Sequence, residues 1–123
     1  MSDPRHVLGL AAEEATARWL GASGWRVIAR RQRSASGGEA DLVALDRDGI
    51  LVAIEVRARR SARAGAAAMT VDARRVGRLR RTLSSVARSS GGPYRGLRVD
   101  LVTAEPAPGL PGRWHLARIP GIG

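Results

Sequence analysis

The stretch from Glu39 to Arg57 constrains this chain more than any other. Two apolar runs, Ala40–Leu45 and Ile50–Val56, flank Asp46-Arg47-Asp48-Gly49. Short apolar runs around an Asp/Gly cluster signal a β-hairpin. With Arg47, Asp48 and Gly49 as a three-residue loop, a type I turn closed by a left-handed glycine joins the strands. Asp46 then pairs with Ile50, and the later pairs follow: Asp41 stands opposite Glu55, and Glu39 opposite Arg57. Side chains alternate between faces. Ala40, Leu42, Ala44, Ile50, Val52, Ile54 and Val56 make one wholly apolar face. The other carries Val43, Leu45, Leu51 and Ala53 near the turn, then Glu39, Asp41, Glu55 and Arg57 at the open end.

This register sets Asp41 and Glu55 about 5 Å apart at Cβ. Opposed like charges destabilise a sheet unless a cation lies between them. Glu39, Asp41 and Glu55, ending an otherwise apolar surface, form a hard-oxygen site. Mg²⁺ or Mn²⁺ suits it, with water and substrate phosphate completing six-coordination. The competing reading is a solvated sheet end in which Glu39 and Asp41 pair with Arg57 and Arg59. A slip of one residue turns Glu55 to the opposite face and abolishes the site.

Around the hairpin the order reads αβββαββ. Leu10, Ala17 and Leu20 recur on one face of a helix from Gly9, which Ser23-Gly24 ends. Trp25–Arg30 reads as a strand, followed by a Ser/Gly loop, Ser34 to Gly38. Residues 58–69 form a small-residue loop bearing arginines. A second helix runs from Thr70, its expected N-cap, to Ser89, with Val76, Leu79, Leu83 and Val86 on its apolar stripe. Leu97–Thr103 and Arg113–Ile119 are the last two strands. The length of 123 residues suits one domain, expected over 9–119, with a flexible leader at 1–8 and a tail at 120–123.

Charge narrows the partner. All 21 basic residues are Arg; against 11 acids they leave a net charge of +10. An arginine surface binds polyanions by counterion release and grips phosphate in planar, bidentate fashion. A genome rich in G and C also favours Arg over Lys, but it does not explain the excess of cations over acids. Nucleic acid is the expected partner, DNA favoured over RNA. On the second helix Arg74, Arg75, Arg78 and Arg81 lie away from the apolar stripe. With Arg59, Arg60 and Arg63 they outline a phosphate-tracking groove; the bland alternative is a solvated helix face. Aromatics at 3% disfavour a base-stacking reader, and Trp19, Trp25 and Trp114 read as packing anchors. His6 and His115 lack catalytic partners, and Asp100 beside Arg98 reads as structural. Cysteine is absent, which excludes disulfides, thiolate zinc sites and a cysteine nucleophile. No apolar run approaches a membrane span, and the N-terminus is unlike a secretory signal, so a cytoplasmic protein is expected.

Five segments together resemble the YraN-like family of uncharacterised bacterial proteins, predicted members of the PD-(D/E)XK nuclease superfamily. They are Gly9 with Glu13, Trp19-Leu20 and Gly24; Gly38-Glu39-Ala40-Asp41-Leu42-Val43; Ile54-Glu55-Val56-Arg57 with Arg59; Val71, Arg75, Arg78 and Leu79; and Arg98-Val99-Asp100-Leu101-Val102. They span residues 9–103, whereas 104–123 match poorly. The resemblance implies a restriction-endonuclease-like α/β fold, a mixed sheet flanked by two helices. It also implies divalent-metal-dependent hydrolysis of nucleic-acid phosphodiesters. Asp41 and Glu55 would hold the metal, with the Val56 backbone carbonyl and Glu39 as further ligands. Glu13 would reach the site from the first helix, or stay an ordinary solvated acid. Arg57 stands where the superfamily usually has Lys, and Arg75 also replaces Lys. Arg stays protonated, so Arg57 would position the phosphate rather than act as a base. Two alternatives remain: a catalytically silent nucleic-acid-binding module, and an interaction module docking an acidic partner through the arginine helix. A two-fold symmetric substrate would favour a dimer.

Overall fold

The computed structural model describes residues 3–34, 38–61, 63 and 65–122. The middle of the Ser34–Gly38 loop, the first two residues of the expected leader and residue 123 of the tail lie outside that set.

Helix α1 spans Pro4–Ala22, so the expected leader is mostly helix. Asp3 caps it, its side chain accepting the Arg5 N–H at 2.9 Å. Pro4 follows in the first turn, where its missing N–H costs nothing. The buried face is Ala12, Ala15, Thr16, Ala17 and Leu20; these mostly small residues let the helix lie close to the sheet. Gly24, at φ +89°, ends the segment as expected.

Five strands follow: β1 Arg26–Arg33, β2 Glu39–Leu45, β3 Ile50–Ala58, β4 Gly96–Pro106 and β5 Trp114–Ile119. They form one sheet in that order. The β3/β4 pair is parallel; the other three are antiparallel. Helix α2, Ala73–Ser89, makes the crossover between the parallel strands. Its cap is Asp72, which accepts the Arg75 N–H at 2.8 Å. The expected cap, Thr70, instead follows a 3-10 turn at Ala66–Met69.

The sheet is covered on both faces. Leu79, Leu83 and Val86 of α2 pack on Val43, Leu51, Ala53 and Val99. Ala17 and Leu20 of α1 pack on Leu42, Ala44, Val52, Ile54 and Val102. This is the expected αβββαββ order, an α/β architecture consistent with a restriction-endonuclease-like fold. Among the described residues, no helix is long and apolar enough to cross a membrane. Residues 121 and 122 of the expected tail are hydrogen-bonded to β4. The Ile122 N–H bonds the Val99 carbonyl at 2.9 Å, and the Gly121 N–H bonds Asp100 at 3.0 Å.

The hairpin turn forms as expected. Gly49 has φ +84°, and the Asp46 N–H bonds the Ile50 carbonyl at 2.9 Å. Asp46 Oδ1 also accepts from the backbone of Asp48 and Ile50. The register runs Leu45↔Leu51, Val43↔Ala53 and Leu42↔Ile54, and the pairing stops there. Continued, it would give the Val56 N–H to the Ala40 carbonyl. The Asp41 carboxylate takes that N–H instead, at 2.8 Å. Two expectations fail at this fork. Ala40 packs with Val43, Ala53 and Leu79 on the α2 side rather than with Leu42 and Ile54. Glu39 is not paired with Arg57; it lies opposite Arg33 of β1, 3.5 Å from its guanidinium. In β1, Arg31 has φ +48°, and the ladder with β2 shifts register between Val27 and Ala29.

Candidate active site

Where β2 and β3 part, the Asp41 and Glu55 carboxylates meet. Asp41 is drawn inward by the Val56 N–H. Glu55 points to the α2 side, with its side chain 4% exposed. Burial, then the hydrogen bond and charge of Glu55, push the Asp41 carboxyl up to about 9; the Val56 N–H opposes the rise, and the charge of Glu13 adds to it. Burial also acts to raise Glu55. The hydrogen bond from Arg75, that from the Asp41 proton, and the charges of Arg75 and Arg57 outweigh it and hold Glu55 below its ordinary value. The two carboxylates are thus pushed in opposite directions, Asp41 toward its protonated form and Glu55 toward its ionised one.

Arg57 and Arg75 face Glu55. Arg57 Nη2 lies 3.5 Å from Glu55 Oε2, while among the described residues its buried Nε has no hydrogen-bond partner. Arg75 grips the same carboxylate in a fork, Nε to Oε2 at 2.6 Å and Nη2 to Oε1 at 3.1 Å. Glu13 projects from α1 with its side chain 18% exposed, 3.9 Å from the Arg31 guanidinium. A small cleft is lined by Arg5, His6, Gly9, Leu10, Glu13, Arg31 and Glu39.

The donors suit a hard divalent cation. Asp41 and Glu55 converge, and the Val56 carbonyl leaves β3 on the same edge as its N–H, toward Asp41. Among the described residues, no three Asp, Glu or His side chains close into a ready cage. Water and substrate oxygens would have to complete the coordination, which is how Mg²⁺ is usually held.

The arginines expected to line a groove differ in their surroundings. Arg59 is tied to Glu105 at 3.2 Å and to the Gly65 carbonyl at 3.3 Å. Arg75 is committed to Glu55. Arg60, Arg63, Arg74, Arg78 and Arg81 are exposed. Arg74, Arg78 and Arg81 are spaced to form one stripe along α2. The role of Arg75 escaped the sequence reading. Its only signal was that Glu55, set between apolar neighbours on a strand buried on both faces, needs a cation from another element.

On the neighbouring strand, where it pairs with Ile54, Asp100 is fully buried and structural, as expected. It accepts from Arg98 at 2.8 and 3.1 Å and from Arg118 at 2.9 Å. Both guanidinium groups lie over Trp25, at 5.9 and 5.1 Å from its ring centre. Arg98 reaches on to Asp46 at 3.1 Å, fastening the hairpin turn to β4.

The profile of a family described as "Uncharacterised protein family UPF0102" matches residues 12–104. A UPF0102 protein of Symbiobacterium thermophilum is 43% identical over 101 residues, covering 82% of this chain and 84% of the relative. One from Bordetella avium is 38% identical over 103 residues, 84% of this chain and 70% of the relative. Another, from Burkholderia thailandensis, is 45% identical over 75 residues, 61% of this chain and 51% of the relative. The matched profile takes in Glu13, the carboxylate fork, Arg57 and α2.

Proposed function

The chain belongs to the uncharacterised protein family UPF0102, and from the geometry of its carboxylate fork we propose that it hydrolyses nucleic-acid phosphodiester bonds with a divalent cation. The contact between Asp41 and Glu55, close enough that Asp41 keeps a proton to about 9, carries this reading. Asp41, Glu55 and the Val56 carbonyl would hold Mg²⁺ or Mn²⁺. When bound, the cation would supply an acidified water and a counter-charge for the reacting phosphate. Arg57 offers a guanidinium beside Glu55, suited to a phosphate oxygen whose charge grows. The exposed arginines of α2 would track the backbone, with DNA favoured over RNA.

A second reading has one specific observation in its favour. Arg75 bonds both oxygens of Glu55, as in a scaffold whose carboxylate has become structural. The protein would then bind nucleic acid without cutting it.

A nuclease panel with Mg²⁺, Mn²⁺ or EDTA decides between them, comparing wild type with Asp41→Ala and Glu55→Ala. Cleavage that needs metal and is lost in both variants supports the hydrolase. Salt-dependent binding without cleavage supports the silent module. Failure of DNA to compete for the arginine surface would point to an acidic protein partner.

A further inference from the structure

Arg75 occupies an unusual position between a buried carboxylate and a polyanion-seeking surface. Its guanidinium lies over Glu55, whose side chain is 4% exposed, while Arg75 itself is 23% exposed. It therefore stands on the solvent side of the site. Its backbone is fixed, because Asp72 caps the first turn of α2 through the Arg75 N–H. Its neighbours Arg74 and Arg78 are exposed. Arg57 approaches the same carboxylate, so two guanidinium charges answer one buried Glu55. A cation entering the fork meets both charges at short range, where Coulomb repulsion is substantial even with protein screening. A phosphodiester offers Arg75 the same planar, two-oxygen partner that Glu55 does.

We propose that Arg75 is an exchangeable cover, capping Glu55 in the free protein and passing to a backbone phosphate when nucleic acid lies along α2, which opens Glu55 to the divalent cation. The inference rests on the metal-site reading above. No covalent bond changes; one ion pair is exchanged for another, and Glu55 would be left free to hold the cation. Cation and nucleic acid then bind cooperatively, each raising the affinity of the other by the same factor.

The test is Mn²⁺ binding followed by electron paramagnetic resonance, with and without a saturating short phosphorothioate-linked DNA duplex. Wild type is expected to bind Mn²⁺ about tenfold more tightly, or better, when the duplex is present. Arg75→Gln should bind Mn²⁺ alone about tenfold more tightly than wild type, and the duplex should then add little. Arg75→Lys keeps the charge without the fork, and should bind Mn²⁺ more tightly than wild type with a reduced duplex effect. A folded Arg75→Gln protein that binds Mn²⁺ no better than wild type overturns the proposal and makes Arg75 a fixed strut. Should Arg75→Gln fail to fold, Arg75→Lys decides: Mn²⁺ affinity and duplex coupling equal to wild type overturn it. Mn²⁺ binding that survives Asp41→Asn, or is absent from every variant, removes the metal site and the cover together.

Discussion

Arg57 is the side chain on which the proposed chemistry turns. Its Nη2 approaches Glu55 at 3.5 Å, and among the described residues its buried Nε has no partner. If it stabilises charge on the reacting phosphate, Arg57→Lys keeps part of the turnover. Arg57→Ala then loses more, on the order of 10²–10³-fold for one transition-state donor. Turnover under saturating Mn²⁺ checks this, and an unchanged rate in a folded Arg57→Ala protein removes Arg57 from the mechanism. Asp41 makes a separate prediction, about stability. Its pKa is raised from 3.8 to about 9 on folding, so the folded state holds a proton that the unfolded chain releases. The contribution is fully present below about pH 4 and is lost progressively as pH rises to 9. Melting temperature should therefore fall over that range beyond the trend of Asp41→Asn, which mimics the protonated side chain at every pH. Mg²⁺ should restore wild type at the alkaline end and leave Asp41→Asn unmoved.

At the scale of elements, the entry into β2 depends on a close approach. A Cβ built on Gly38 would lie 2.5 Å from Thr82 Oγ1 and 2.7 Å from the Arg78 carbonyl. Both contacts are on α2, and the second is backbone that cannot step aside. Gly38→Ala should cost about 1–3 kcal/mol in chemical denaturation, as overpacking does. Adding Thr82→Ala should recover only part of that, because the Arg78 carbonyl remains. A neutral Gly38→Ala would mean that β2 and α2 can separate freely. Gly38 thus spaces the strand carrying Asp41 from the helix carrying Arg75. Much of this level was legible in the sequence. Gly49 and Asp46 set the loop length, and the loop length set the register from Leu45↔Leu51 to Leu42↔Ile54. The start of α1 was legible but overlooked: Asp3-Pro4 is a cap followed by a first-turn proline. The end of the ladder was not legible. Alternation assumes that every strand N–H finds a strand carbonyl, and at Val56 a side chain wins. Nor does periodicity tell which arginine of α2 turns inward to Glu55, because Arg74, Arg75 and Arg78 are all polar positions. That choice is made by a carboxylate 20 residues away, across the crossover.

For the molecule as a whole, the net charge of +10 predicts binding that falls steeply with salt. Replacing Arg74, Arg78 and Arg81 with Gln should lower the slope of log affinity against log salt by up to about three units. Replacing the exposed Arg113, which lies in the β4–β5 turn, should leave it unchanged. A triple variant with the wild-type slope would make the α2 stripe a solvated face. The sheet itself has a further consequence. Residues 51–55 of β3 are buried throughout, giving alternate side chains to the α1 and α2 cores. β1 and β5 are sheet edges, each paired on one side only. Amide deuterium uptake should therefore be slowest along β3 and fastest at the two edges, with the tip of β2 beyond Leu42 exchanging ahead of the rest of that strand. Glu55 belongs to the most protected strand, and Asp41 lies just past the last pair of the hairpin ladder. A local opening at that tip, ahead of any in β3, would change the spacing between the two carboxylates from the Asp41 side alone.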